Sequence, residues 1–519
     1  MLNPRRVVNL AIVSAATLMV VGCANVVRVA PHTELSVIDP IWTTAYITRN
    51  HGYLVYDTLF AFDENSDLQP QMVEKWSLSD DKKEWTFVLR DGLKWHDGTN
   101  VTAEDCVASL QRWAKRDGVG QEIFKNLVAI SAADAKTFSM KFLRPTDYVP
   151  EVLAKGAVNV PFMMPKRVAQ TDPFSPIQDV IGSGPFVYSQ SRSVKGEKTV
   201  YEKNEDYVPR SEPSSLAAGG KLAKADRIEW IYFPDRDAAV TALIEGDVDY
   251  VESVSTKLAG RLEGVENITV ASTDPLGNMA MVRFNSTIPP FDKVGVRHAV
   301  LKAVQQEDYM TAALGDAQFW RVCYSVFPCG TPLSSDAESD QMKPAADMNA
   351  VKKLLEDAGY DGVPIVILNP VDSPVIAALT KVTVDKLRSV GMNVQTQDMT
   401  WAELTKRRAD PSGWNMFHTW WLAADVADPT SIVFSGDPER GWYGWPKDAA
   451  LEELRASFMQ AGPDERKRIA GAVQKRVVEM GYFGVLGQFF EPVAYRSNVG
   501  GITSPVQYYW NMFIEKKKK

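Results

Sequence analysis

The chain has 519 residues, of which 45 % are hydrophobic and 24 % are charged, and its formal net charge is −8. This length exceeds what one hydrophobic core usually supports, so the composition predicts a globular protein of two or three domains. Because the balance is acidic and no basic stripe interrupts it, nucleic acid is excluded as a partner, and the closing lysines at 516–519 are interpreted as a solvated tail.

The first 24 residues have the pattern of a secretory signal. Arg5 and Arg6 are positive, the run from Val7 to Val21 is mostly apolar, and the small residues Gly22, Cys23 and Ala24 follow. The run is short for a membrane span, and no later stretch approaches 18 apolar residues. We therefore expect an exported chain that is soluble after cleavage.

Two cleavage sites fit this segment. The stretch from Val20 to Cys23 resembles the lipobox of bacterial lipoproteins, which would leave a lipidated Cys23 at the new N-terminus. Gly22 and Ala24 instead satisfy the small-x-small rule for cleavage after Ala24. A strand-like run begins at Val26 and leaves little room for a lipoprotein spacer. We expect a free periplasmic protein, with anchoring through Cys23 as the alternative.

Hydrophobic periodicity predicts strands and helices in alternation. Alternating apolar residues predict strands at 26–30, 85–89, 227–233 and 392–397. Apolar residues at helical spacing predict helices at 102–116, 237–245, 294–305, 348–358 and 376–390. Thr102 to Asp105 forms a capping-box pattern, and Gly246, Gly359 and Gly391 are helix stop signals. This succession is typical of α/β layers.

Three cysteines lie beyond the signal segment. Cys323 and Cys329 are close enough to close a small loop, and an oxidising compartment favours a disulfide between them; two buried free thiols are the alternative. Cys106 falls in a helical pattern and is expected to be a core thiol.

Catalytic signatures are largely missing from the sequence. H-E-x-x-H, G-x-S-x-G, the P-loop and G-x-G-x-x-G are absent, and the S-x-x-K match from Ser79 to Lys82 arises easily by chance in a polar turn. The five histidines are widely separated, so neither a metal site nor a cofactor is predicted. We interpret the chain as a binding protein and not as an enzyme.

The segment from Leu89 to Thr99 reads L-R-D-G-L-K-W-H-D-G-T, and V-T-A-E-D follows at 101–105. It closely resembles the signature of the bacterial extracellular solute-binding family 5, which holds the dipeptide and oligopeptide binders of ABC importers. His96 in this signature is interpreted as structural. Further segments match blocks of the family in the same order: 182–186 (G-S-G-P-F), 244–249 (I-E-G-D-V-D), 283–285 (R-F-N), 289–291 (P-P-F), 296–299 (V-R-H-A) and 350–360.

The resemblance implies an α/β fold. Family members have the two-lobed periplasmic-binding-protein fold (type II, with the extra subdomain of the peptide binders), which closes by a hinge over a central cleft. On this basis we expect a signal peptide at 1–24, lobe I at 25–50, 183–275 and 491–519, the extra subdomain at 51–182, and lobe II at 276–490.

The resemblance also nominates ligand-binding residues. In the family's peptide binders, an aspartate in a segment like W-x-x-D-x-x-D-P pairs with the ligand's ammonium group. Asp425 is the matching aspartate, and Trp421, one residue further away than in the family pattern, is expected to be a pocket wall. The alternative for Asp425 is a turn or cap residue. Trp401 resembles a tryptophan that walls the pocket in some relatives, with interior packing as its alternative, and Thr44 and Tyr46 are expected to line the cleft from lobe I.

One departure from the family concerns the ligand carboxylate. Dipeptide binders hold it with an arginine in the turn before the helix that corresponds to 376–390. In this chain the turn at 369–374 has no arginine and contains Asp372. An unpaired buried carboxylate would be costly, so Asp372 together with Asp425 favours a ligand rich in positive or donor groups.

The resemblance therefore implies the periplasmic substrate-binding component of an ABC transporter. Its ligand would be a small peptide or a peptide-like, amine-bearing solute, and the monomeric protein would dock on an inner-membrane permease. A metal chelate, an opine, an amino-sugar or a short oligosaccharide is an alternative cargo. A secreted hydrolase that uses Asp372 and Asp425 as paired carboxylates is an alternative of another class.

Overall fold

The computed structural model describes residues 24–515 except residues 66, 157, 273, 338, 440, 504 and 505. The predicted signal segment up to residue 23, with the candidate lipidation site Cys23, and the lysine tail lie outside these residues. Within the described part, no helix has the length and apolarity needed to cross a membrane. Three main sheets of seven, six and four strands organise the fold.

The strands alternate with helices for much of the chain. In chain order they are β1 (Val26–Ala30), β2 (Phe60–Phe62), β3 (Leu68–Pro70), β4 (Val73–Leu78), β5 (Glu84–Leu89), β6 (Leu127–Ala132), β7 (Thr137–Phe142), β8 (Phe186–Tyr188), β9 (Lys198–Lys203), β10 (Arg227–Ile231), β11 (Tyr250–Val251), β12 (Ile268–Ala271), β13 (Asn278–Phe284), β14 (Trp320–Arg321), β15 (Ile365–Pro370), β16 (Val394–Met399), β17 (Met416–Leu422), β18 (Phe483–Phe489), β19 (Val493–Arg496), β20 (Val499–Gly500) and β21 (Phe513–Ile514).

The α-helices cover the faces of the sheets. In chain order they are α1 (Tyr46–Val55), α2 (Ala103–Trp113), α3 (Gly118–Lys125), α4 (Val149–Leu153), α5 (Lys166–Ala169), α6 (Arg236–Glu245), α7 (Thr256–Leu262), α8 (Val294–Lys302), α9 (Gln306–Leu314), α10 (Met348–Asp357), α11 (Pro374–Ser389), α12 (Trp401–Arg407), α13 (Ala449–Gln460) and α14 (Pro463–Met480).

Lobe I is built on the seven-stranded sheet, in the order β12-β19-β11-β1-β10-β9-β8. β1 lies in the middle and runs parallel to both neighbours, β10 and β11. Its alternate residues Val27 and Val29 are fully buried, which accounts for the alternating pattern in the sequence. The seven strands come from three separated stretches of the chain, and all of them fall in the ranges assigned to lobe I.

Lobe II is built on the six-stranded sheet, in the order β14-β18-β13-β17-β15-β16. Every residue of the central strands β13 and β18 is buried. β15 runs parallel to both β16 and β17, so the carboxyl ends of these three strands lie at one edge of the sheet. The segments that follow them carry Asp372, Trp401 and Asp425, and the topology therefore brings these three residues to the same edge.

The extra subdomain contains an antiparallel sheet in the order β4-β5-β7-β6, and α2 packs on it. Thr102 and Asp105 form the predicted capping box at the start of α2. The contacts of His96 fit its interpretation as a structural residue. Its backbone N–H donates to the carbonyl of Gly182, and its Nε2 lies 3.1 Å from the carbonyl oxygen of Gly184. Both glycines pass so close to the Val55 carbonyl that a Cβ on either would overlap it. The family-like segment 182–186 therefore joins the subdomain to lobe I.

Most of the predicted elements are present, with small shifts at their ends. The helix predicted at 294–305 ends at Lys302, and a second helix begins at Gln306. The amides of Ala303 and Val304 donate to carbonyls three residues earlier, which tightens the last turn and ends α8. The boundary proposed at residue 50 falls inside α1, so that division remains a proposal.

The predicted disulfide between Cys323 and Cys329 is present, and their Cα atoms are 5.8 Å apart. Cys106 is a free and fully buried thiol on α2, as expected from its helical pattern. Burial raises the pKa of the Cys106 thiol well above its ordinary value. The thiol is therefore protonated and shielded in the folded protein.

This arrangement predicts a simple alkylation pattern for the chain from residue 25 onward. Native protein should resist iodoacetamide, and unfolded, unreduced protein should take up one label, at Cys106. Reduction of the disulfide should lower the free energy of unfolding by only about 2 kcal/mol, because the closed loop is short. Peptide mapping and urea unfolding measure both quantities. Three labelled cysteines in freshly isolated, unreduced protein would contradict the disulfide.

Candidate functional site

A cavity of about 600 Å³ lies between the two lobes. Lobe I lines it with segments that follow β1 and β10, and lobe II lines it with the edge where β15, β16 and β17 end. Five of the six residues nominated from the sequence are part of this lining: Thr44, Tyr46, Asp372, Trp401 and Trp421. The volume suits a small-molecule ligand.

Aromatic side chains from both lobes form the walls. Tyr46 of lobe I stacks on Trp420 of lobe II, with ring centroids 5.4 Å apart. The rings of Trp421 and Trp442 pack edge to face, with their centroids 5.1 Å apart. Such walls offer a large apolar area that loses little conformational entropy on binding. Trp420 and Trp442 were not nominated from the sequence.

Asp425 lies between the lobes but is not among the described residues that line this cavity. Its carboxylate pairs with the guanidinium of Arg49 on α1, at 3.2 Å, and the two side chains are 8 % and 4 % exposed. The guanidinium also lies 4.5 Å from the centre of the Tyr46 ring. Burial raises the pKa of Asp425, while Arg49 and a hydrogen bond from Tyr46 oppose that rise. Arg49 is thus the cation that pairs with Asp425 in this structure, and the pairing of Asp425 with a ligand ammonium stays a prediction.

Tyr46 connects this ion pair to the cavity. Its hydroxyl accepts a hydrogen bond from the backbone N–H of Leu422, at the end of β17. Burial raises the pKa of Tyr46 well above its ordinary value, so the phenol stays neutral. Tyr46 therefore fixes the distance between α1 and the edge of lobe II while its ring faces the cavity.

Asp372 has a positioning contact as well as an exposed position. Its Oδ1 accepts a hydrogen bond of 2.7 Å from the backbone N–H of Trp401, the first residue of α12. Thr400 and Glu403 complete a capping box at the same helix end. The carboxylate is also solvent-exposed, so it can meet a cationic group at the mouth of the cavity.

Arg408 also lines the cavity, although it was not nominated from the sequence. It follows α12 and lies seven residues after Trp401, which is two helical turns along the same face. The helical period around Trp401 could therefore have identified it. The residue is 3 % exposed. Its guanidinium lies over the rings of Trp401, Phe417, Trp442 and Tyr443, at 4.7 to 5.6 Å from their centres.

Lobe I adds a histidine and a glutamate in contact with each other beside the cavity. Nδ1 of His32 lies 2.8 Å from the carboxylate of Glu252. Burial alone would raise the pKa of Glu252, but the contacts with His32 and the charge of Arg49 lower it. Glu252 also accepts a hydrogen bond from Asn50, the neighbour of Arg49 on α1. This cluster ties α1 to the strands of lobe I.

His418 does not face the cavity. Thr380 and Thr383 contact its two ring nitrogens at 3.0 and 2.8 Å, and burial lowers its pKa to about 3. Among the described residues, no group of three or more His, Cys, Asp or Glu side chains is arranged to hold a metal ion. His418 therefore gives no support to a metal-chelate cargo.

Comparison with known proteins gives one family. The model for "Bacterial extracellular solute-binding proteins, family 5 Middle" matches residues 67–442. The probable peptide ABC transporter periplasmic-binding protein y4tO of Sinorhizobium fredii (strain NBRC 101917 / NGR234) is 37 % identical over 489 residues, which are 92 % of this chain and 92 % of that protein.

Solved structures of low sequence identity share the fold. The ABC transporter-associated periplasmic binding protein DppA from Helicobacter pylori, in complex with peptide STSA, has a TM-score of 0.80 at 20 % identity and covers 95 % of this chain and 98 % of its own. AgaA of A. tumefacien R10, in complex with agropinic acid, has a TM-score of 0.79 at 21 % identity and covers 95 % and 99 %. The predicted two-lobed α/β fold of type II is confirmed.

The pairing of Asp425 with Arg49 predicts the behaviour of charge-removing variants. Asp425→Asn should lower the free energy of unfolding of the ligand-free protein by roughly 3 kcal/mol, because Arg49 is left buried without its carboxylate. Adding Arg49→Met to this variant should restore more than half of the loss. Urea unfolding of the two single variants and the double variant measures the coupling.

Asp385→Asn is the control, because Asp385 forms an exposed pair with Lys381 and should change stability by less than about 0.5 kcal/mol. Unchanged stability of Asp425→Asn together with a large loss of ligand affinity would reverse the assignment. It would show that a ligand ammonium, and not Arg49, is the partner of Asp425.

Proposed function

Because the chain belongs to family 5 of the bacterial extracellular solute-binding proteins, we propose that it is the substrate-binding component of an ABC importer. It captures a small peptide or a peptide-like, amine-bearing solute and delivers it to a permease in the inner membrane. The observation that carries the proposal is the cavity of about 600 Å³ whose lining comes from both lobes. A ligand held by both lobes stabilises the closed form, which is the form that a permease can distinguish.

The carboxylates that line the cavity support the proposal that the solute bears an amine. Asp235 and Asp372 are exposed carboxylates in the lining, one from each lobe, and Glu34 of lobe I adds a third carboxylate. Carboxylates grouped in this way attract a cationic group to the mouth. Thr44, Tyr46, Trp401 and Trp421 line the space behind them, and we propose that they contact the solute.

The proposal includes where and how the protein works. A signal peptide at 1–24 places it in the periplasm, with anchoring through a lipidated Cys23 as the alternative. The acidic monomer needs no cofactor and no nucleic acid. We propose that it returns its ligand chemically unchanged. Among the described residues, Asp372 lines the cavity and Asp425 does not, which does not favour the two as a hydrolytic pair.

A ligand screen tests the function. A peptide or amine that binds should raise the melting temperature, because a hundredfold excess over the dissociation constant adds about 2.7 kcal/mol to the free energy of unfolding. Panels of di- and tripeptides, amines and sugars are compared by thermal shift, and mass spectrometry then recovers the solute. Thr44→Phe should fill the cavity and abolish the shift, while Thr241→Phe on the exposed face of α6 should leave it unchanged.

Two results would overturn the proposal. If no member of the panel shifts the melting temperature of the wild-type protein, the assignment to peptide-like solutes fails. If the solute is recovered as cleaved products, the protein is an enzyme and not a receptor.

A further inference from the structure

We propose that Gln488 is a positioning residue for solute binding, which couples the loop closed by Cys323 and Cys329 to the hinge between the lobes. The inference rests on the proposed function and concerns how the cavity is held in a binding-competent geometry. Gln488 is not among the described residues that line the cavity, so it acts on binding through the segments that it holds.

Two described segments carry the chain between the main sheets. The first crossing, 274–277, leads from β12 in lobe I to β13 in lobe II, and the second crossing, 490–492, leads from β18 back to β19. They meet at Gly277, where a Cβ would overlap the carbonyl oxygen of Phe489 and the ring of Phe490. Because the two crossings are packed this closely, a displacement of one displaces the other.

The side chain of Gln488 bridges the disulfide loop and the first crossing. Its Oε1 accepts a hydrogen bond of 3.0 Å from the backbone N–H of Cys329, and its Nε2 donates to the carbonyl of Leu276 at 2.6 Å. Gln488 is fully buried, so each of these bonds is worth more than it would be at the surface.

The disulfide loop also contacts the second crossing. Arg321, two residues before Cys323, donates to the carbonyl of Cys329 at 2.5 Å, and its guanidinium carbon lies 5.2 Å from the centre of the Phe490 ring. The backbone N–H of Phe490 donates to the carbonyl of Phe319 at 2.8 Å. The loop of lobe II therefore braces both crossings of the hinge.

The first crossing in turn holds the wall of the cavity. The carbonyl of Gly277 accepts a hydrogen bond of 2.8 Å from the N–H of Ala423, the residue that follows β17. In the sheet, Gln488 lies opposite Met279, and Met279 lies opposite Trp421, so the three side chains share one face. Trp421 lines the cavity. The path from the disulfide loop to the wall is thus continuous.

A braced hinge favours binding for a thermodynamic reason. A protein whose binding-competent geometry is populated only part of the time has its apparent affinity reduced by that fraction. Loss of the Gln488 bridge frees Leu276 and lets the crossings take more positions. The affinity for the solute then falls although no contact with the solute is removed.

The test pairs Gln488→Met with Gln306→Met. Gln306 is also fully buried and bonds to the other end of the loop, at Cys323, and to Val485, without contacting a described residue of either crossing. Both variants should lose a similar number of degrees in melting temperature, because each strands backbone groups. Only Gln488→Met should weaken binding, by at least about fivefold. Calorimetric titration uses the solute that wild-type protein retains from a panel of di- and tripeptides.

A ligand-free measurement keeps the inference testable if no peptide of the panel binds. Hydrogen exchange of the Ala423 amide reports the bond to the first crossing, and mass spectrometry with electron-transfer fragmentation resolves it. Exchange should be at least about tenfold faster in Gln488→Met than in Gln306→Met, since the two variants share any general loss of stability.

Removal of the disulfide is the third arm. A dithiol reductant supplies two electrons and two protons, so the S–S bond gives two thiols while the reductant becomes a disulfide. Reduction, or the combined Cys323→Ser and Cys329→Ser substitutions, should weaken binding and speed exchange at Ala423 in the wild-type background. In Gln488→Met the further change should be less than about twofold, because the connection is already broken.

The outcomes separate this inference from the proposed function. A panel without any binder counts against peptide-like cargo, and the exchange of Ala423 then decides the role of Gln488 alone. Equal affinity and equal exchange in Gln488→Met and Gln306→Met would overturn the positioning role. Wild-type affinity and exchange that do not respond to removal of the disulfide would overturn the coupling to the loop.

Discussion

Charged groups that are buried between two lobes must find partners there, and this constraint organises the centre of the molecule. Arg49 and Asp425 are separated by 376 residues and come from different lobes, yet each is almost completely shielded from water. Tyr46 lies on the same helix as Arg49, where it contacts the end of β17 and stacks on Trp420. The walls of the cavity depend on this contact, because the same few residues of α1 hold both the ion pair and the stack.

The cavity beside this pair is divided by charge and by exposure. Carboxylates lie at the mouth, and the indole N–H groups of Trp421 and Trp442 lie deep in lobe II, without an acceptor among the described residues. In such a low-dielectric setting each polar contact is worth more than in water, and each unsatisfied group costs more.

The parallel arrangement of β15, β16 and β17 explains why the site residues of lobe II are together. Three segments that are far apart in sequence follow the carboxyl ends of three adjacent strands. The backbone N–H of Trp401 donates to Asp372 across this edge, so one of the nominated residues orients another. The arrangement follows the general rule that ligands bind where adjacent parallel strands end.

The sequence alone determined the features that depend on local chemistry and on ordered motifs. Alternation identified β1, the Thr102–Asp105 pair identified the start of α2, and the spacing of Cys323 and Cys329 indicated the disulfide. The succession of family-like segments identified the fold and five residues of the cavity lining. Periodicity and spacing carry such information because helices, strands and short loops are set by neighbouring residues.

The tertiary structure decided the electrostatics of the site. In the sequence, Asp425 was a free carboxylate awaiting a ligand ammonium, because nothing in the chain near it indicates Arg49. Arg408 was not nominated from the sequence, although folding buries it beneath the aromatic rings of lobe II. Whether a charge is paired depends on groups brought together across hundreds of residues, and its free energy depends on how completely water is excluded. Both are properties of the packed lobes, and no local pattern encodes them.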